Sequence, residues 1–504
     1  MSAVDSWGER LPRRLGLWSA VAVIMGTTIG SGIFRVPAVV AERLPQPFLF
    51  GAAWVVGGLL AMAGALAFAE LATMYPRSGG FYVYIREAFG PMAAFVFGWA
   101  ELLVIRPASY GAISIVSAEY LWRFAGFDGA VALGSLPLSR AQVTASLLIL
   151  TTAAVNYRGV HLGALVQNVS TVLKISALLA IVVMGLALVP GQVVSGADIG
   201  PPPPGGTTTT QPPPPGDTNT TQPVQPPETP PPSGDVEDTA GLPAAVATTP
   251  IGPSTLALVS AFGLALVSIL WAYDGFADLV FVAGEVKEPE RVLPRALVIG
   301  TSGIIVLYLL TNWSYVNVIP LPAMPGSPLI AADVTVALLG RAGAVFISAA
   351  VALSTFGSLN GSTMTGPRIF FAMAEDGLFF RGIAEVHPRF GTPARSILLM
   401  AGLGTFYVYV RTFAQLADQF VVGIWPFYAA GVVALFVLRR RLPDAERPYR
   451  AWGYPWMPAL FLAGAVFLLG NYLISEPLIF AADMALIASG VPVYWIWLRD
   501  RGPV

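Results

Sequence analysis

Cysteine is absent from the 504 residues. That excludes disulfides, thiolate metal sites and thiol catalysis, and it says nothing about redox compartment. Histidine occurs only as His161 and His387, both in polar connecting stretches and without metal-ligand spacing. They read as ordinary loop histidines, and no metal or cofactor is implied. Charge is scarce as well: Asp, Glu, Lys and Arg make up 11% of the chain, against about 25% in a soluble domain. The net charge is -1, and no stripe mixes basic residues with aromatics, which excludes nucleic acid as a partner. The sequence carries no Walker sequence, nucleophile–base pair or metal cluster, so an enzyme is disfavoured.

What is present is apolar. Hydrophobic residues make up 55% of the chain, and a surface so poor in charge must face lipid. Stretches near the ~20 residues that cross a bilayer recur at 17–40, 48–74, 92–120, 143–156, 165–189 and 256–283. A second set lies at 296–319, 345–373, 397–410, 420–438, 458–474 and 478–498. The expected fold is an all-α membrane protein of about 12 transmembrane helices. The fourth and ninth stretches are short. The first apolar run is too long for a signal-peptide core and reads as a retained span.

Basic residues set the orientation. With the N-terminus in the cytoplasm, most fall inside, among them Arg13, Arg77, Arg86, Arg158, Lys287, Arg395, Arg439 and Arg499. Arg43, Arg123, Arg140 and Arg411 fall outside. Both termini are then cytoplasmic. Residues 191–253 break the apolar pattern with a run of Pro, Thr, Gly and Gln whose ionisable groups are all acidic. Such a composition cannot bury a core and reads as a disordered loop outside the cytoplasm. A tolerated insertion is one reading, since long surface loops cost little; contact with the cell envelope or a partner is the other.

The helices carry two apparent interruptions. The first span holds Gly26-Thr27-Thr28-Ile29-Gly30-Ser31-Gly32, and the sixth holds Trp271-Ala272-Tyr273-Asp274-Gly275. Paired breaks five spans apart suit a 5+5 inverted repeat with two extra C-terminal helices, with substrate bound between the breaks. The division is then 1–16 (cytoplasmic N-terminus), 17–190 (first repeat), 191–253 (loop), 254–438 (second repeat), 439–498 (last two helices) and 499–504 (C-terminus). Unwinding at Gly30, Ser31 and Gly32 frees backbone N–H groups, and the positive end of the second half-helix can hold a carboxylate. Carbonyls freed near Thr28, Ile29, Trp271 and Asp274 can accept from an ammonium group. A site with both ends suits a zwitterion. The alternative is that Gly30 and Gly32 serve close helix packing.

Charges inside spans are costly and usually functional. Lysine occurs only at Lys174 and Lys287, and Lys174 lies well inside span five. A buried ammonium there could stand in for a bound cation or titrate; a snorkelling side chain is the other reading. Arg106 lies mid-span three, five residues after Glu101, and reads as an anchor or gate residue. Asp274 could accept from a substrate amine or cap a half-helix.

At these residues the chain resembles the amino acid–polyamine–organocation (APC) superfamily, most closely its L-type amino acid transporter branch. The motifs run in the family's order along nearly the whole chain: GTTIGSGIF from Gly26, YPRSGGFYVYIREAFG from Tyr75, GWAELLVIRPAS from Gly98, NYRGVHLGALVQNVSTVLKISAL from Asn156, WAYDGFADLVFVAGEVKEPERVLPRAL from Trp271, ALSTFGSLNGSTMTGPRIFFAMAEDG from Ala352 and ERPYRAWGYPWMPALF from Glu446. The resemblance implies the LeuT-like fold, amino acid substrates and sodium independence, with Lys174 and Ser354 in place of sodium. Gly30, Ser31 and Gly32 match the carboxylate-binding turn. Trp271 matches the aromatic that closes over substrate, and Val104, Ile105, Ser109 and Trp425 fall where relatives line the side-chain pocket. Glu285 and Lys287 match the cytoplasmic end of span six, in a gating or structural role. The long Pro/Thr loop departs from the family pattern. Without cysteine the chain cannot form the disulfide that ties animal members to a heavy chain. The Arg-for-Lys bias suggests a bacterial origin and an inner (plasma) membrane. The expected activity is exchange of neutral L-amino acids by alternating access. A proton-coupled importer using Lys174 and a non-transporting amino acid sensor are the alternatives.

Overall fold

The computed structural model describes residues 13, 15–127, 138–158, 160–187, 254–327, 329–385 and 387–498. The Pro/Thr-rich segment 191–253, most of the N-terminal segment, the C-terminal 499–504 and the His161 side chain lie outside the described residues. The first span is two half-helices, α1 (Leu17–Thr28) and α2 (Gly32–Arg43), bent by 43°. α3 (Pro47–Met74) and the short α4 (Phe81–Phe89) follow. The third span is α5 (Pro91–Ala100), a π-helical turn at Glu101–Ile105, and α6 (Arg106–Phe124). α7 (Arg140–Tyr157) and α8 (Val160–Ala187) follow.

α9 (Thr255–Tyr273) then stops, and the chain resumes as a 3-10 helix at Asp278–Glu285 before α10 (Pro289–Val318). The eighth span runs through α11 (Ile330–Thr365), kinked at Gly340, into α12 (Pro367–Glu375). α13 (Ala394–Val410), α14 (Phe413–Arg441), α15 (Trp456–Ser475), α16 (Pro477–Ala488) and α17 (Gly490–Leu498) complete the bundle. Among the described residues nine helices are long and apolar enough to cross a membrane, ten with the bent α1–α2 pair. The remaining two spans are α7 and α13, of 18 and 17 residues, the pair read as short from sequence. The protein is an all-α, multi-pass integral membrane protein with a LeuT-like fold.

Local chemistry explains where these helices begin. Pro47, Pro91, Pro289, Pro367 and Pro477 open α3, α5, α10, α12 and α16, at the position where a missing N–H costs nothing. Ser139 with Gln142, and Thr412 with Gln415, form capping boxes at α7 and α14. α6 is the central post, packed against α7, α11, α13 and α14. Large apolar side chains such as Phe48, Leu478 and Ile474 point outward, the inverse of a water-soluble surface.

Polar anchors lie within. Glu70 of α3 is fully buried; it accepts from Arg439 Nε at 2.9 Å and from the Ala451 N–H at 2.7 Å, with Arg447 at 3.3 Å. It thus ties α3 to α14 and to the segment before α15. At one end of the bundle Leu15 pairs with the chain beside Val286: its N–H donates to Glu285 O at 2.9 Å, and the Lys287 N–H donates to Leu15 O at 2.8 Å. Two helices have no counterpart in the sequence reading, α4 and the first part of α11. Both are too short for the length criterion that finds spans.

Candidate functional site

The two interrupted spans pack their breaks against each other. α1 ends where Thr27 turns its hydroxyl back to Val23 O at 2.9 Å and Ile29 leaves the helical region (ψ 79°). α9 ends with Asp274 extended and Gly275 at φ +103°, a conformation that suits only glycine. A Cβ on Gly275 would lie 2.7 Å from Thr28 N, and one on Gly32 would lie 2.4 Å from Ala272 Cα. The backbones approach that closely because those positions carry no side chain.

A small cavity of about 30 Å³ opens at this junction. Gly30, Ser31 and Gly32 form one wall and Thr28, Trp271, Asp274 and Gly275 another. Ser31 and Gly32 stand at the start of α2, where the first backbone N–H groups of a helix have no partner within it. Trp271 closes one side: its Nε1–H donates to Ser31 Oγ at 3.3 Å, and its ring meets Phe420 edge-on at 5.2 Å. Asp274 accepts from the Tyr428 hydroxyl at 2.8 Å.

The third wall comes from α6. Arg106, Ser109 and Ile113 face the cavity, together with Ser362 and Asp278. Arg106 is buried, donates to Glu101 Oε2 at 2.9 Å, and lies 3.8 Å from Asp278 Oδ1. Its guanidinium sits 5.0 Å from the centre of the Phe281 ring. The partners of Arg106, unnamed by sequence, are therefore Glu101 and Asp278. An arginine and two aspartates share this small cavity, which presents groups of both signs.

Behind the break lies a fully buried ammonium. Lys174 Nζ donates to Gly26 O and Ile29 O, each at 2.7 Å, and to Ser358 Oγ at 2.9 Å. The Ser354 hydroxyl adds a bond to Ile29 O at 3.2 Å. The snorkelling alternative is thereby excluded. The lysine instead satisfies carbonyls that unwinding leaves without a helical donor.

Several expectations need correction. The Ile29 carbonyl is shared among Lys174, Ser354 and Ser358, and the Thr28 carbonyl accepts from Tyr308 OH at 2.8 Å and from the Gly30 N–H at 2.7 Å. Neither carbonyl is free for a substrate ammonium, though the Thr28 hydroxyl is buried without a partner beside the cavity. Val104, Ile105 and Trp425 do not line the cavity. Val104 and Ile105 lie in the π-turn and pack toward Gly423, while Trp425 stacks on Phe461 at 5.1 Å. A π-turn inserts a residue into the helical count and turns the following residues by about 100°. That shift brings Arg106, Ser109 and Ile113, spaced at helical intervals, onto the cavity face. Ser358, Asp278, Ser362 and Tyr428 were missed. Ser358 lies one turn after Ser354 and Asp278 four residues after Asp274, a spacing visible in the sequence, but hydroxyls are common in these spans and α9 does not continue to Asp278.

The Glu285–Lys287 segment forms the Leu15 pairing described above, and Glu285 lies 3.5 Å from Arg368. Among the described residues no group of three His, Cys, Asp or Glu side chains could hold a metal.

Two interrupted helices around a small polar cavity inside a helical membrane bundle define a secondary transporter of the broken-helix class. The chain belongs to the amino acid permease family, whose family model matches residues 15–496. It is similar to the serine/threonine exchanger SteT of Bacillus subtilis, with 27% identity over 96% of this chain and 97% of the relative. The human b(0,+)-type amino acid transporter 1 is 29% identical over 97% of this chain and 89% of its own. The human cystine/glutamate transporter is 28% identical over 98% and 87%. The resemblance to the L-type branch of the APC superfamily is borne out, and the protein is an amino acid transporter.

Proposed function

We propose that the protein exchanges small neutral L-amino acids across the membrane by alternating access, without sodium. The observation that carries this reading is the cavity between the two breaks. The start of α2 offers N–H donors at Ser31 and Gly32 for the substrate carboxylate. Asp274 and the unpartnered Thr28 hydroxyl offer acceptors for its ammonium group. The Trp271 ring over the cavity favours short side chains such as those of serine, threonine and alanine, in keeping with the name of the Bacillus relative.

Lys174 supports sodium independence. Its ammonium already fills a nest of two carbonyls and a serine hydroxyl, with Ser354 beside it. A sodium ion would need the same oxygens. With no cysteine the chain cannot be disulfide-linked to a heavy chain, and we propose that it works without one. The distribution of arginines supports a bacterial inner membrane with both termini in the cytoplasm. A proton-coupled importer is the second reading, favoured because the hydrogen bonds of Lys174 among the described residues go to two carbonyls and a serine hydroxyl, none of them charged. Uptake into proteoliposomes with a pH gradient and no internal amino acid tests it: accumulation under those conditions supports coupling to protons.

A further inference from the structure

α16 carries an acid in an otherwise apolar sequence, PLIFAADMALIA. Asp483 is 2% exposed and Gln419, which faces it from α14, is also 2% exposed. The Gln419 amide donates from Nε2 to Asp483 Oδ1 at 3.0 Å. The other two oxygens of the pair, Asp483 Oδ2 and Gln419 Oε1, are both buried and neither has a hydrogen-bond partner. Leaving two acceptors without a donor in a membrane interior is costly, because no bulk water is there to satisfy them.

Among the described residues, no hydrogen bond from the surroundings supplies that donor. The elements packed on α16 are α5, the π-turn, α14, α15 and α17. α5 has no ionisable side chain, Glu101 of the π-turn is held by Arg106, and Tyr494 of α17 packs against Phe95. Asp418 of α14 adds a second acid near Tyr472 of α15, along with Glu476. Tyr407 of α13 donates its hydroxyl to Leu103 O. Arg411, between α13 and α14, exerts a field on Asp483, but no ion pair joins the two among the described residues.

A carboxylic acid and a primary amide are complementary: the amide N–H donates to the acid carbonyl while the acid O–H donates to the amide carbonyl. The amide half of that exchange is in place. We propose that Asp483 and Gln419 form a membrane-buried proton-binding site, in which a proton carried on Asp483 completes the acid–amide pair and clamps span twelve to span ten. Gln419 immediately precedes Phe420, the ring that packs on Trp271 over the cavity. The site is therefore joined by the chain itself to the substrate's cover. It stands apart from the transport reading, because it concerns neither the cavity nor Lys174.

The test uses the full-length protein in lipid bilayers. Infrared spectra at neutral pH are compared between wild type and Asp483→Asn. A protonated-carboxyl band present in wild type and missing from the variant is the expected result; superimposable spectra in that region overturn the proposal. Thermal stability supplies the second arm. Asparagine can make both hydrogen bonds to Gln419, so Asp483→Asn should fold and melt no lower than wild type at neutral pH. Because only the folded wild type keeps the proton, its stability relative to the variant should fall as pH rises above the ordinary carboxylate range. A variant that is misfolded, or clearly less stable at neutral pH, would indicate an ionised Asp483 held by water or Arg411 and would overturn the proposal.

Discussion

Lys174 is the side chain on which the reading of the broken span depends most. Replacing it with alanine leaves Gly26 O, Ile29 O and Ser358 Oγ without their shared donor, inside a membrane protein where no bulk water compensates. Lys174→Ala should therefore cut amino acid flux by at least about tenfold, the equivalent of 1.4 kcal/mol, while the protein remains folded enough to purify. Exchange assays beside a melting curve check this; undiminished flux would show that the lysine fills space without shaping the site. The sequence made Lys174 conspicuous because lysine is so rare in the chain. It could not reveal Ser358, because one serine among many along α11 carries no mark until α11 is laid against α1. Nor could it show that the Thr28 and Ile29 carbonyls are already taken, since a backbone acceptor has no identity in sequence.

The paired breaks were legible because glycine clusters and an aspartate interrupt otherwise apolar runs. The pocket wall on span three was not. The π-turn at Glu101–Ile105 has no residue signature, and only the family resemblance placed Val104 and Ile105 in the pocket. Trp425 was placed by the same resemblance, but Phe413 and Phe420 lie seven residues apart on the face of α14 toward Trp271, and Trp425 lies off that face against α15. The contact between the breaks makes its own prediction. Gly275→Ala would force a side chain onto a left-handed backbone and against Thr28 N, costing about 1–3 kcal/mol. Substrate affinity and melting temperature should fall together, measured by ligand-dependent thermal shift. Gly32→Ala or Gly32→Val should behave the same way, because its Cβ would strike Ala272. Loss of binding there reports helix packing as much as the carboxylate turn. Unchanged affinity in Gly275→Ala would mean that the breaks separate without consequence.

For the whole molecule, the twelve-span count followed from apolar length alone, and the short fourth and ninth spans recur as α7 and α13. What length could not supply was the polar stitching between spans. Glu70 gathers Arg439, Arg447 and the Ala451 N–H from a part of the chain some 370 residues later. Glu70→Gln would leave two arginines short of their counter-charge, and a loss of about 3–5 kcal/mol is expected for a broken buried pair. A lower melting temperature in detergent, with substrate preference unchanged, checks it. The Pro/Thr-rich segment should matter much less: excising most of residues 200–248 and keeping a short linker should leave exchange within about twofold, since loop length costs little. A large loss of flux from correctly folded protein would instead give that segment a transport role. The most direct test of the central claim is uptake of labelled serine into proteoliposomes, with and without internal unlabelled serine, in sodium and in sodium-free buffer. Uptake that requires internal amino acid and is equal in both buffers is the predicted result. Uptake into empty vesicles at the same rate, or uptake that depends on sodium, would contradict it.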